Sequence, residues 1–396
     1  MGALLSLDQA QALVLARVVP LAQERVELEQ AAGRVTAEAA AAAVDLPPFP
    51  SSAMDGYAVR AADLPGRLAV VGDAAAGAPA ERELGAGEAI AISTGGVVPG
   101  GADAVVPVEY VVQNDNDIEV AERVPPGSHV RPRGGDVAAG AVVVGAGVRL
   151  GAAQLGALAA AGVASVVCAA RPRVAVLATG SELVAPGAPL GPGRIYESNR
   201  LMLATALAAA GADVELLPLV ADDERAHTEA IERGLRADVL VTSGGVSVGP
   251  HDLVRAAARG LGVEEVFWRV AIKPGKPVSF GVRGATLVFG LPGNPVSSLV
   301  GCELFVKSAV RALQGERDPL PRLQTGILAA PLLRNDARDE FVRARSHVDA
   351  RGVVLEPLAG QESHMIVRAA AADALVHVPR GEGGLDEGSA VRWLRL

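Results

Sequence analysis

The stretch AIKPGKPVSF, residues 271–280, places Lys273 and Lys276 three positions apart, with a proline after each and Gly275 between them. Pro274 and Pro277 each remove a backbone donor and push the preceding residue out of helical geometry, so the pair lies in extended chain. The chain carries a formal net charge of -9. Two ammonium groups fixed side by side in such a chain suit an anionic ligand, although alone they equally fit a solvated turn. At ~4 Å an ammonium–oxyanion contact is worth roughly 4 kcal/mol at an effective dielectric near 20, before desolvation. Loss of one lysine is therefore expected to cost activity more than fold.

Three loops of small residues follow three apolar runs. Thr179-Gly180-Ser181-Glu182 ends VAVLAT; Ser243-Gly244-Gly245-Val246-Ser247-Val248-Gly249 follows ADVLVT; Leu291-Pro292-Gly293-Asn294-Pro295 follows TLVFG and opens a helical pattern. Glycine lets backbone N–H groups approach a ligand, and helix N-termini favour anions. Tight strand-to-helix turns need glycine anyway, so one such loop says little. Three on one sheet edge point to a phosphate-type pocket, because open parallel sheets bind ligands beyond the carboxyl ends of their strands. Carboxylates accompany these loops: Glu182 after the first, Asp222 and Asp223 after the second strand, and Asp252 beyond the 243–249 loop. Helix capping explains Asp222 or Asp252 singly. Several carboxylates beside phosphate cradles suggest Mg²⁺, which uses one or two carboxylates plus substrate phosphates.

A rival reading takes Gly245-Val246-Ser247-Val248-Gly249 as a nucleophile elbow, with Ser247 served by His347, His364 or His377. The context opposes it. Ser243-Gly244-Gly245 has already left the strand, and Gly249-Pro250 postpones the helix. The chain holds no Walker A loop, no H-E-x-x-H, no cysteine-based zinc pattern and no Rossmann spacing.

The elements that must position these residues follow from length and periodicity. At 396 residues, two to four domains are expected. Hydrophobic content of 50% and charged content of 20% indicate a folded chain. With aromatics at 3%, the cores must be filled by Leu, Val and Ala. The acidic balance argues against nucleic-acid binding. Two distant cysteines, Cys168 and Cys302, make neither a disulfide framework nor a metal cluster and suit a reducing cytoplasm. MGALLS matches a myristoylation pattern that this composition generates easily. The uncharged run 150–170 is better read as a buried helix, stopped at Gly162, followed by a strand than as a membrane span. No secretory signal is expected.

Residues 7–43 read as helical, broken at Pro20, and DLPPFP at 45–50 marks a boundary. Short β runs then fill 51–139. Strands alternate with amphipathic helices from 174 to 315, the pattern of a doubly wound, mostly parallel sheet. From about 320 the pattern returns to β, expected as a small barrel or sandwich. The expected domains are 1–50 with 140–170 (elongated, helical and extended), 51–139 (small β domain), 171–317 (α/β catalytic domain) and 318–396 (β-barrel-like).

PPFPSSAMDGYAV, ISTGG, PRVAVLATGSEL, VTSGGVSVGPHD, IKPGKPVSFG and GLPGNPVSS occur in this order, and the whole chain resembles the molybdopterin molybdenumtransferases, a family that includes the C-terminal domain of gephyrin. The resemblance implies an elongated homodimer of four-domain subunits, the third domain resembling molybdopterin adenylyltransferase. The implied reaction takes molybdate and adenylylated molybdopterin to the molybdenum cofactor and AMP, with Mg²⁺ assisting. By resemblance Glu182, Asp222, Asp252, Lys273 and Lys276 are functional side chains. Glu182, Asp222 and Asp252 are the candidates for holding Mg²⁺ or orienting molybdate. Thr179, Gly180, Ser181, Ser243, Gly244, Gly245, Ser247, Gly249, Pro292, Gly293, Asn294 and Pro295 would shape the substrate site. Only the resemblance points to Asp55 of SAMDGYA and Thr94 of STGG, which in the family complete the pocket from the other subunit. Ser363 of GQESHM, and Arg343 and Arg345 of DEFVRAR, are further candidates; the alternation of the arginines equally fits an exposed strand face. The substrate's dithiolene, rather than a cysteine, is expected to bind molybdenum. A binding scaffold with a decayed site is the second reading and the Ser247 hydrolase the third. A transient contact with a molybdopterin adenylyltransferase stays open, since no adenylylating domain is fused here.

Overall fold

The structure, a computed structural model, describes residues 4–245 and 253–396. Helix α1 (Leu7–Leu15) starts on a reciprocal cap: the Ser6 hydroxyl accepts from the Gln9 N–H, and the Gln9 side chain accepts from the Ser6 N–H. Its buried stripe of Leu7, Ala10 and Val14 joins Val174, Val241 and Phe305 in the core of the α/β sheet. The start of the chain thus packs with that sheet rather than with the segment that follows it. The helix also ends far short of residue 43. β1 (Gln23–Glu27) pairs antiparallel with Ser165–Ala169, burying Val26 alone of its five residues. The segment from Ala22 has helix-forming residues, but strand pairing overrides their weak propensity.

Six strands make the small β sheet: β2 (Gly56–Val59), β3 (Gly66–Ala74), β4 (Glu88–Ile92), β5 (Ala104–Pro107), β6 (Val112–Gln113) and β7 (Asp117–Val120), in the order β5-β2-β4-β3-β7-β6. Gly56 is required where β2 meets β5, because a Cβ there would lie 2.1 Å from the Val106 carbonyl oxygen. Helix α2 (Ala152–Ala160), closed by Gly162 at φ 77°, leads into β8 (Ser165–Ala169). Among the described residues no helix is long and apolar enough to cross a membrane.

The central part runs β9 (Arg173–Ala178), β10 (Leu183–Val184), β11 (Ile195–Tyr196), α3 (Asn199–Ala209), β12 (Asp213–Leu216), α4 (Glu224–Gly234), β13 (Val239–Ser243), α5 (Leu253–Gly260), β14 (Glu264–Trp268), β15 (Ile272–Lys273), β16 (Ser279–Arg283) and β17 (Thr286–Leu291). Helix α6 (Pro295–Gly301) continues through a π-helical turn, Cys302–Val306, into α7 (Lys307–Leu313). The sheet order is β12-β9-β13-β17-β16-β14. The first four strands are parallel and the last two join antiparallel. Successive strand residues feed opposite layers: Val174, Val176 and Val241 enter one apolar cluster, while Ala175, Leu177 and Leu240 enter the other. Helices therefore cover both faces, as near-continuous apolar strands require. In register, Ala178 faces Ser243 and Ser243 faces Leu291, so the three small-residue loops leave the sheet at one level.

The last part is a closed barrel. β18 (Gln324–Leu328), β19 (Asp339–Asp349), β20 (Gly352–Pro357), β21 (Ala374–Val378) and β22 (Ala390–Arg395) pair in the ring β19-β20-β18-β22-β21, which returns to β19. β15, the strand of the lysine loop, joins this barrel and not the α/β sheet. It runs parallel to β19, with Ile272 opposite Asp339 and Lys273 opposite Glu340.

Candidate active site

The carboxyl edge of β9, β13 and β17 opens into a cleft of about 740 Å³. Thr179, Gly180 and Glu182 line it from the first loop, Ser243, Gly244 and Gly245 from the second, and Pro292, Gly293, Asn294 and Pro295 from the third. Asp222 reaches it from the segment after β12, Pro277 from the lysine loop, and His364 and Ile366 from the barrel. Val246, Ser247, Val248, Gly249 and Asp252 lie outside the described residues. Gly244 has φ +97°, and a Cβ would sit 2.6 Å from the Thr179 carbonyl oxygen. Glycine here is demanded both by the backbone and by the neighbouring loop.

The carboxylates are sorted by local hydrogen bonding. The cap of α4 is Asp223, whose side chain accepts from the Ala226 N–H, so Asp222 is not needed for capping. Asp222 instead exchanges two bonds with the first loop: its carboxylate accepts from the Ser181 N–H at 3.1 Å, and its own N–H donates to the Ser181 hydroxyl at 2.9 Å. That clasp carries Asp222 to the mouth of the cleft beside Glu182, and both side chains are exposed. Among the described residues no three His, Cys, Asp or Glu side chains cluster as a metal cage. Two carboxylates at an open cleft fit an ion that completes its shell with substrate phosphates and water.

A buried knot holds the loops together. Asn199, at the start of α3 and 8% exposed, donates through Nδ2 to the Ser243 hydroxyl at 2.8 Å and to the Gly293 carbonyl at 2.7 Å. The Ser243 and Ser298 hydroxyls lie 3.2 Å apart, and Ser298 donates to the Pro292 carbonyl. The Ser243 hydroxyl is thus committed to the knot. Sequence reasoning missed Asn199, along with Tyr196 and Glu197 on the same wall of the cleft. Their one local signal is a polar ESN run directly before an apolar helix.

The barrel closes the far side. The Ser363 carbonyl accepts from the Val296 N–H in the first turn of α6 at 3.0 Å, so one donor of that helix start is used internally. Arg343 is turned inward. It is 1% exposed, and its guanidinium donates to the Met365, Gly360 and Glu362 carbonyls, which props the loop carrying Ser363 and His364. Arg345 is exposed and donates to the Ala371 carbonyl. Neither arginine lines the cleft. Lys273 pairs with Glu340 at 2.9 Å. Lys276 is exposed, and no carboxylate among the described residues lies within ion-pair distance of it.

Asp55 and Thr94 meet each other away from this cleft. The Asp55 carboxylate accepts from the Thr94 N–H at 2.6 Å and from the Thr94 hydroxyl at 2.9 Å. Those bonds, the backbone one foremost, hold the Asp55 carboxyl below its ordinary range. Asp55 lines a separate open depression with Tyr57 and Asp73. Cys168 and Cys302 are both fully buried, and burial pushes both thiols up. Neither is placed or ionised as a metal thiolate.

A doubly wound sheet with glycine loops and two carboxylates around its carboxyl edge, reached by the lysine loop through Pro277, has the form of a small-molecule-binding α/β protein. Three family models cover the chain: the MoeA N-terminal region (domains I and II) at 5–162, a probable molybdopterin binding domain at 175–312, and the MoeA C-terminal region (domain IV) at 325–396. The chain is 36% identical to a molybdopterin molybdenumtransferase of Haemophilus influenzae, with 98% of each chain covered. It is 38% identical to molybdopterin molybdenumtransferase 2 of Mycobacterium tuberculosis, over 89% of this chain and 90% of that one. The crystal structure of a molybdopterin biosynthesis MoeA protein from Pyrococcus horikoshii superposes with a TM-score of 0.85 at 29% identity, covering 99% of this chain and 100% of that one. The chain belongs to the molybdopterin molybdenumtransferase family.

Proposed function

We propose that this protein is a molybdopterin molybdenumtransferase that takes molybdate and adenylylated molybdopterin to the molybdenum cofactor and AMP. The observation that carries the reading is the convergence of three glycine loops, Glu182 and Asp222 on one cleft, with the lysine loop at its rim, in a chain of this family. In the proposed mechanism the loop backbones of 179–181, 243–245 and 292–295 bind the phosphates and exclude water. The exposed Lys276 binds molybdate and offsets charge developing on the pyrophosphate as AMP departs, while Lys273 supports it from the Glu340 side. Glu182 and Asp222 would hold Mg²⁺, which when bound neutralises phosphate charge. Ser243 and Asn199 act through the loops they tie together. Asp252, Ser247 and Gly249 keep the roles the resemblance implies.

Asp55, bonded to Thr94, lines a depression of its own, so the reading includes a homodimer in which the two complete the cleft of the partner subunit. It also includes the four-domain division read from the sequence, a cytoplasmic setting, and delivery of substrate by a molybdopterin adenylyltransferase.

The test is AMP release from adenylylated molybdopterin by purified protein, with and without molybdate. Molybdate is expected to accelerate release, and Lys276→Ala to abolish the acceleration. A wild-type rate no faster than the protein-free control would leave a binding scaffold in place of the enzyme.

A further inference from the structure

The two lysines of the 271–280 segment are not equivalent. Lys276 is exposed without an ion pair among the described residues, whereas Lys273 reaches Glu340 at 2.9 Å. Glu340 belongs to the barrel, a different sheet from the one that builds the cleft. The join is more than one side-chain contact. β15 and β19 are parallel neighbours with Lys273 opposite Glu340, and the Asp339 N–H donates to the Ala271 carbonyl at 2.9 Å. On its other side Glu340 pairs with Val378 of β21, so its backbone is held between two strands. Its side chain is 15% exposed, against 45% for Lys273. The carboxylate is the fixed partner and the lysine the one that is held.

We infer that Glu340 is a positioning residue for the transfer reaction, holding the Lys273 ammonium, on the loop whose Pro277 lines the cleft, before the oxyanion arrives. The inference rests on the reading of function above. An ammonium has three donors; the one given to Glu340 leaves two for an oxyanion. A free lysine stem samples many rotamers, and ordering one on binding costs affinity that a pre-held stem does not lose. The half-exposed pair contributes little to folding. Its expected effect is on molybdate capture, and this ties the C-terminal barrel directly to the chemistry.

The test uses full-length protein and compares wild type with Glu340→Gln, Glu340→Asp, Lys273→Ala and the Lys273→Ala/Glu340→Gln double variant. Glu340→Gln is expected to raise the KM for molybdate about fivefold with kcat within about twofold, the cost of ordering one long side chain. Glu340→Asp should recover part of the loss, and the double variant should match Lys273→Ala alone. Melting temperatures should stay within about 2 °C of wild type. A second readout needs no activity: in ligand-free protein, an amine-acylating reagent followed by peptide mass spectrometry should label Lys273 several-fold faster in Glu340→Gln, with Lys276 unchanged. A lowered KM, showing that Glu340 merely repels the oxyanion, would overturn the inference. So would a Glu340→Gln penalty that persists in the absence of Lys273, or equal labelling of Lys273 in both proteins. If wild type shows no molybdate-dependent AMP release, the functional reading fails instead, and the labelling still decides whether Glu340 holds Lys273.

Discussion

Asn199 illustrates how much of this site depends on a side chain that touches no reacting atom in the proposed chemistry. Its amide bridges the end of β13 and the loop after β17; the Ser243 hydroxyl is buried, and the Gly293 carbonyl belongs to a loop that lines the cleft. Replacing it by alanine leaves the Ser243 hydroxyl and the Gly293 carbonyl short of a partner, at about 1–3 kcal/mol for the set. Asn199→Ala should therefore lower the unfolding free energy by that amount, read as a reduced urea midpoint at unchanged slope, and reduce kcat/KM. An unchanged midpoint would show that the knot is not what holds the loops. The same logic separates residues that sequence reasoning had grouped. Ser243 faces inward to the knot, Asp222 clasps Ser181, and Asp223 caps a helix. All are small polar residues beside glycine loops in the sequence, and their one-dimensional spacing carries no sign of which oxygen meets which N–H.

At the scale of elements, strand β21 brings a titrating group into the barrel wall. His377 stacks on Phe341 with ring centroids 5.1 Å apart. Neither of its ring nitrogens has a hydrogen-bond partner, and the Asp339 carboxylate lies 3.7 Å away. Burial lowers its pKa from 6.5, against the pull of Asp339 and the more distant Asp8, with Arg392 adding to the lowering. A folded pKa below the unfolded one means the unfolded chain takes up the proton first as pH falls. This contribution to stability is then present above about pH 6.5 and is lost through the acid side. The urea midpoint should drop between about pH 7.5 and 5.5, and His377→Leu should flatten that part of the profile. A slope unchanged by the substitution would assign the acid sensitivity to other groups. Most elements were legible beforehand: the strand–helix alternation of 174–315 is a strong periodic signal. The helix expected to 43 was not found, because Val26 is drawn into pairing with β8 from a segment whose local propensity is indifferent.

At the scale of the molecule, the depression lined by Asp55 and the main cleft are separate in one chain. If they meet across subunits, two inactive variants can complement each other. Asp55→Ala and Lys276→Ala proteins, each inactive alone, should recover up to about a quarter of wild-type activity when unfolded and refolded together, since half the dimers would carry one intact pair. Recovery should vanish on dilution below the dimer dissociation constant. No recovery in a mixture shown to be dimeric would place Asp55 in the site of its own chain, or outside the site.

The sequence by itself determined the α/β centre, the barrel-like tail and the three loops at one sheet edge, because apolar periodicity and glycine placement are local properties. It also carried the family resemblance, through motifs spread over the whole chain. Tertiary structure alone decided the rest. It paired the lysine loop with the barrel, joined α1 to the core of a sheet that begins at residue 173, and turned Arg343 inward to hold a loop. Each of these is a contact between residues far apart in the chain, apolar packing for α1, strand pairing for the lysine loop and buried hydrogen bonds for Arg343, and such pairings have no period to read.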